Sequence, residues 1–145
     1  MAQAIAYLGF NGNCAEAVRF YERVLGQGAK VQKMLSGADT PMADQIPKEH
    51  RNRIIHARLR FDDGSYLFAG DAPAQTPYTG IQGVSIAMNY PSVAEADRVF
   101  KALADGGTVT MPLQPTMWAK TFGMVTDRFG TPWIINGELQ GDHVL

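Results

Sequence analysis

The sequence predicts an α+β chain built as two β-α-β-β-β modules in tandem, with curled mixed sheets around a cleft and the helices outside. Three observations predict it. Ala15-Glu16-Ala17-Val18-Arg19-Phe20-Tyr21 returns as Ala94-Glu95-Ala96-Asp97-Arg98-Val99-Phe100, 79 positions on (94 − 15), and so long a period describes two supersecondary units rather than a solenoid of short repeats. Around each copy the apolar period changes from about 3.6 residues to about 2, from helix to strand. Each module also carries a hairpin turn, Asp62-Asp63-Gly64-Ser65 in one and Asp127-Arg128-Phe129-Gly130 in the other, with the residue types that tight turns favour.

The elements follow in order. Ala4 to Phe10 is the first strand. Asn13 stands three residues before Glu16, and Ser92 three before Glu95, so each helix opens on an N-cap with a glutamate reaching back. Ala17, Tyr21, Val24 and Leu25, and then Val93, Ala96, Phe100 and Leu103, make the stripe each helix buries. Gly26 and Gly28, or Gly106 and Gly107, supply the backbone that ends a helix. Ala29 to Leu35 is the next strand, and Ser36 to Arg53, rich in Asp, Pro, Lys and Arg, is an exposed loop. In Ile54 to Phe61, the set Ile55, Ala57, Leu59 and Phe61 alternates with His56, Arg58 and Arg60, a strand with one apolar face. Tyr66 to Ala69, Val84 to Tyr90, Val109 to Leu113 and Trp133 to Ile135 complete the strands. Module 1 spans about residues 4–71, the linker 72–82 and module 2 about 83–138 of a single domain over 1–145.

Composition excludes more than it assigns. The 145 residues are 46% hydrophobic and 19% charged, which suits one compact domain with its own core. A net charge of −1, with no run of Lys or Arg between aromatics, argues against a nucleic-acid partner. No apolar stretch reaches membrane-spanning length, and the N-terminus lacks a charged region followed by a long apolar run with a cleavage site, so the expectation is a cytoplasmic protein without a membrane partner. Cys14 is the single cysteine, so no internal disulfide forms; it reads as a small buried residue or a mildly activated thiol in the first turn of a helix.

Phe10-Asn11-Gly12-Asn13-Cys14-Ala15-Glu16-Ala17, leading to Phe20-Tyr21 and Leu25-Gly26, resembles the glyoxalase/bleomycin-resistance/extradiol-dioxygenase, or vicinal oxygen chelate, superfamily. Ile55-His56-Ala57, Ala69-Gly70-Asp71, Trp118-Ala119 with Phe122-Gly123, and Asp127-Arg128-Phe129-Gly130-Thr131-Pro132-Trp133 resemble its PhnB-like branch. The resemblance implies two sheets curling into a cleft, completed in a homodimer. Some members of the branch carry a 3-demethylubiquinone methyltransferase label. No glycine-rich nucleotide loop follows the first strand here, so a methyltransferase is not expected.

The family's chemistry implies a divalent metal held by His and Glu from the first and last strand of each module. Counting from Phe20-Tyr21 puts the first-strand positions at Ala6 and Ser85, and counting from Gly64 and Gly130 puts the last-strand positions at Phe68 and Ile134. A one-residue slip offers Tyr7, Val84, Ala69 or Ile135, and Asn136 is a weak neutral ligand. None suits a hard or borderline cation, so the expectation is no metal and no cofactor.

The candidate catalytic residues are His56 and Asp71. His56 lies on the strand face that the resemblance turns toward the cleft, as general base, acid or donor, or else it bonds a neighbouring strand's backbone. Asp71 orients His56 or binds a ligand donor, or it closes a turn before Pro73. Tyr7, Ser85, Trp118, Lys120, Phe122 and Asn136 are the candidate ligand contacts, with Trp118 as a stacking lid or a core residue and Lys120 meeting an anion. His56 and Trp118 are expected to face one cavity. Arg51, Arg53, Arg58 and Arg60 read as an anion site or a solvated face. The preferred function is a metal-independent small-molecule-binding protein; the alternative is a lyase, isomerase or oxygenase around His56 and Asp71 with His50 or Glu49, and a third reading is an interaction module.

Overall fold

The computed structural model describes residues 1–141. The chain divides into two compact units, Met1–Gly80 and the remainder from Ile81. In the first, β1 (Tyr7–Phe10), α1 (Cys14–Val24), β2 (Lys30–Ser36), β3 (Ile54–Arg60) and β4 (Tyr66–Asp71) form a mixed sheet in the order β1-β4-β3-β2, with β1 parallel to β4. In the second, β5 (Ile86–Tyr90), α2 (Val93–Ala104), β6 (Thr108–Gln114), β7 (Ala119–Thr126) and β8 (Pro132–Leu139) repeat it as β5-β8-β7-β6. Neither four-stranded sheet closes on itself. Ala15 and Ala94 are the second residues of their helices, as the repeat requires.

Each helix packs on one face of its own sheet. Ala17, Tyr21 and Leu25 are buried from α1, and Ala96, Phe100 and Leu103 from α2; Cys14, Val18, Phe20 and Val99 join them, while Val24 and Val93 are only half-buried. Gly26, Gly28 and Gly106 have positive φ, the left-handed backbone that ends a helix. Ser92 caps α2 by accepting from the Glu95 N–H at 3.1 Å. Asn13 departs from this: with φ −114° and ψ 20° its side chain makes no cap bond, and the Asp71 carboxylate takes the Cys14 N–H at 3.1 Å instead. The loop from Ser36 to Arg53 contains three short 3₁₀ turns, Gly37–Asp39, Ala43–Gln45 and Lys48–His50.

One register detail positions the site. The β2–β3 ladder runs Leu35 to His56 and then Ser36 to Ile54, so one residue is extra and the alternation breaks. Ile54 is buried and Ile55 is 46% exposed, whereas the sequence pattern puts Ile55 with Ala57 and Leu59. His56 and Arg58 still lie opposite Ala57 and Leu59, on the face away from α1. The other sequence-level difference is β7. Its first residue, Ala119, follows Trp118, so the segment Met117 to Phe122 runs into a strand of the sheet.

Candidate functional site

Strand alternation gives the first unit an open face opposite its helix. Tyr7 pairs with Phe68, and Phe68 with Arg58. His56 stacks on Tyr7 with ring centroids 5.7 Å apart and meets the Phe68 edge at 5.0 Å. Tyr66 adds a ring 5.9 Å from Phe68. The Arg58 guanidinium lies 5.7 Å over the Phe68 ring, a cation–π contact. The sequence leaves Arg58 as part of an anion site or of a solvated face and does not single out Phe68 as an aromatic contact; alternation with Leu67 and Ala69 is the signal for it.

Hydrogen bonds fix the state of this cluster. Arg58 Nε donates to His56 Nε2 at 3.2 Å. Guanidinium can only donate, so Nε2 is the unprotonated nitrogen and Nδ1 carries the proton. Nδ1 faces the Tyr7 hydroxyl at 3.4 Å, and that hydroxyl donates to the Ile55 carbonyl at 2.9 Å. Desolvation first, then the Arg58 and Lys33 charges, hold the His56 pKa below 6.5. A neutral imidazole with its lone pair taken by Arg58 is a poor proton acceptor, while the guanidinium and the rings suit a planar anion. Gly70 permits the arrangement: a Cβ there would stand 2.7 Å from Tyr7 Oη and 2.9 Å from the Ile55 carbonyl oxygen.

Asp71 sits elsewhere in the network. Its Oδ1 accepts from the Gly12 and Cys14 N–H groups at 2.7 and 3.1 Å, and its Oδ2 from the Ile54 N–H at 2.7 Å. The carboxylate is thus spent on backbone rather than on His56. Asp71 also lines a cavity of about 560 Å³ under the 36–53 loop with Ile46, Pro47, His50, Ile55 and Pro73. Of the alternative catalytic set, the cavity gathers His50 and Asp71 and leaves out His56. Burial, then the Asp71 charge, pushes the Cys14 thiol up to about 12, so it is a buried core residue and not an activated nucleophile.

The second unit has its own cluster. Trp118, in the bend just ahead of β7, meets Phe122 edge to face at 5.2 Å. Trp118 Nε1 donates to Asn136 Oδ1 at 3.3 Å, and Asn136 Nδ2 donates to Asn89 Oδ1 at 3.0 Å. Lys120 is paired with Glu138 at 2.9 Å. Ser85 lies just ahead of β5 and outside this network. Asn89 escaped the sequence reading, although a polar residue between Met88 and Tyr90 in a strand was a usable signal. His56 belongs to the first unit and Trp118 to the second, so each cluster stands on its own geometry. Among the described residues no helix is long and apolar enough to cross a membrane.

Residues 5–135 match the Glyoxalase/Bleomycin resistance protein/Dioxygenase superfamily. The chain belongs to that superfamily. This glyoxalase-superfamily protein is 33% identical over 139 residues to Protein YjdN of Escherichia coli (strain K12), covering 90% of this chain and 91% of the relative. It is similar to the crystal structure of protein PA1353 from Pseudomonas aeruginosa, with TM-score 0.85 and 46% identity over 95% of this chain and 98% of the other. A protein from Bacillus cereus described as a putative 3-demethylubiquinone-9 3-methyltransferase, PhnB protein, has TM-score 0.75 at 23% identity, covering 93% and 98% of the two chains. That last likeness is one of fold, and it is the structural counterpart of the PhnB-like resemblance.

A metal held in the superfamily's manner needs imidazole and carboxylate donors. Here the open-face pairs at the start of β1 and β5 are Tyr7 with Phe68 and Ala87 with Ile134; Ala6 and Ser85 precede the strands. Phenol, phenyl, methyl and sec-butyl groups do not fit the metal. Among the described residues, no three of His, Cys, Asp and Glu gather into a potential metal site.

Proposed function

We propose that this glyoxalase-superfamily protein is a metal-independent binding protein for a small planar anion, with no turnover of its own. The observation that carries the reading is the Arg58 guanidinium held between His56 Nε2 and the Phe68 ring on an open, aromatic sheet face. Partial desolvation over rings strengthens a cation's attraction for an anion, and Lys33, paired with Arg58 across the ladder, adds positive charge. The lyase, isomerase or oxygenase reading gains less support, since His56 lends its lone pair to Arg58 and Asp71 serves backbone N–H groups.

The test is calorimetric titration with 2-naphthoate. Wild-type protein binds it, and Arg58→Gln weakens binding at least tenfold with an unchanged melting temperature; equal affinity in both proteins rejects the site. Metal independence is checked by elemental analysis of untagged protein. About one equivalent of Zn, Ni, Mn or Fe, with a melting temperature lowered by chelator, refutes it, since a bound metal stabilises the fold.

The reading includes a cytoplasmic homodimer. Among the described residues β6 is an edge strand paired only with β7, and it exposes Val109 and Met111; covering such an edge with a second copy is a common remedy. Sedimentation at micromolar concentration is expected to give the mass of two chains, and a monomer alone rejects it.

A further inference from the structure

The amide pair on the second unit's open face has a fixed direction. Indole N–H can only donate, so the Asn136 oxygen must face Trp118 and its NH₂ must face away. The group it meets is the Asn89 oxygen at 3.0 Å. Asn89 therefore turns its own NH₂ outward, where it has no partner among the described residues. The order Trp118, Asn136, Asn89 runs in one sense only, and its exposed end is a donor.

The surroundings narrow what that donor can serve. Lys120 is neutralised by Glu138, whose other oxygen accepts from the Val93 N–H at 3.0 Å, so neither of these two charges is left over for a ligand. Phe122 pairs with Asn136 across the β7–β8 ladder, and the half-buried Trp118 ring stands against Phe122. The Trp118 ring, set at 78° to the buried Phe122 ring, is thus the apolar surface that borders the amides. The matching ligand is planar, aromatic and neutral, with an acceptor oxygen at its edge.

We infer that the second unit's open face is a subsite that takes an aromatic carbonyl compound, with Asn89 Nδ2 donating to the carbonyl oxygen and Trp118 stacking on the ring. Asn136 is the positioning residue that sets the polarity. The inference rests on the reading of the open faces as ligand-binding surfaces, but it uses neither Arg58 nor His56.

The experiment is an NMR titration of isotopically labelled full-length protein with 2-acetylnaphthalene and with 2-naphthylamine. Both probes are neutral near pH 7 and of similar shape; one offers a carbonyl acceptor and the other an amine donor. The ketone is expected to shift the Asn89 side-chain NH₂ and the Trp118 indole N–H and to bind at least tenfold more tightly than the amine. Asn136→Asp then gives the decisive result. A carboxylate accepts from Trp118 and also from Asn89, so Asn89 flips, presents its oxygen outward and reverses the preference. Asn89→Asp is the second variant should Asn136→Asp fail to fold: its outward group is an acceptor, and the ketone preference is lost at least tenfold. Equal affinity for both probes, shifts absent from Asn89 and Trp118, or an unchanged preference in the folded variants overturns the inference. Ketone-induced shifts confined to His56 and Arg58 overturn it while leaving the planar-anion reading intact. Shifts at Asn89 and Trp118, with 2-naphthoate affinity unaffected by Arg58→Gln, do the reverse.

Discussion

Asp71 and Glu138 hold the same post in the two halves of the chain. Asp71 accepts from the N–H of Cys14, the first residue of α1, and Glu138 from that of Val93, the first residue of α2. A carboxylate at this place satisfies a donor with no partner inside the helix and also complements the positive end of its dipole. Asp71 does more, because Gly12 and Ile54 donate to it as well. Asp71→Ala strands three backbone donors and is expected to cost about 2–3 kcal/mol, read as a lower urea midpoint with unchanged slope.

Glu138 contributes through pH. Its hydrogen bond from Lys120, and then that from Val93, lower its pKa from the ordinary 4.5. A lowered carboxylate pKa gives stability that is complete above the unfolded value and lost as pH falls through the folded one. The melting temperature of the wild type should therefore drop on acidification below about 4.5 by more than that of Glu138→Gln. Parallel curves for the two proteins between pH 5 and pH 3 would contradict this.

His56 titrates low. The fold favours the neutral ring, so its contribution is whole above the ordinary 6.5 and declines as pH falls through the lowered folded value. An NMR titration should place its midpoint below 6.5. In Arg58→Gln the midpoint should rise without reaching 6.5, because desolvation, the larger cause, remains. A midpoint unmoved by the substitution would separate the two side chains.

Gly70→Ala tests the Tyr7 contact. The added methyl collides with Tyr7 Oη and with the Ile55 carbonyl oxygen, and the backbone partner cannot swing away. Overpacking of this kind costs about 1–3 kcal/mol. Tyr7→Ala in the same chain should recover only part of it. Full recovery of the melting temperature would show that Ile55 O is no obstacle.

The sequence by itself determined the repeat, the places of seven of the eight strands, the two helices and the two hairpin turns, because each rests on periodicity or on turn chemistry among neighbours in the chain. It also marked His56, Trp118, Phe122 and Asn136 for their chemistry. What tertiary structure decided were the partners. Asp127 is a turn residue in the sequence, yet its carboxylate also accepts from the buried Trp133 indole at 2.8 Å. Asp71 is a strand-end aspartate whose three donors lie 17, 57 and 59 residues away. Asn13 has the right side chain for a cap and loses the post to that distant carboxylate. The exposure of Ile55 depends on a single extra residue in a ladder with β2, which no pattern within Ile54 to Phe61 records. Local order follows from covalent neighbours, whereas the protonation of His56 and the direction of the Asn89 amide are set by groups that only folding brings within hydrogen-bond range.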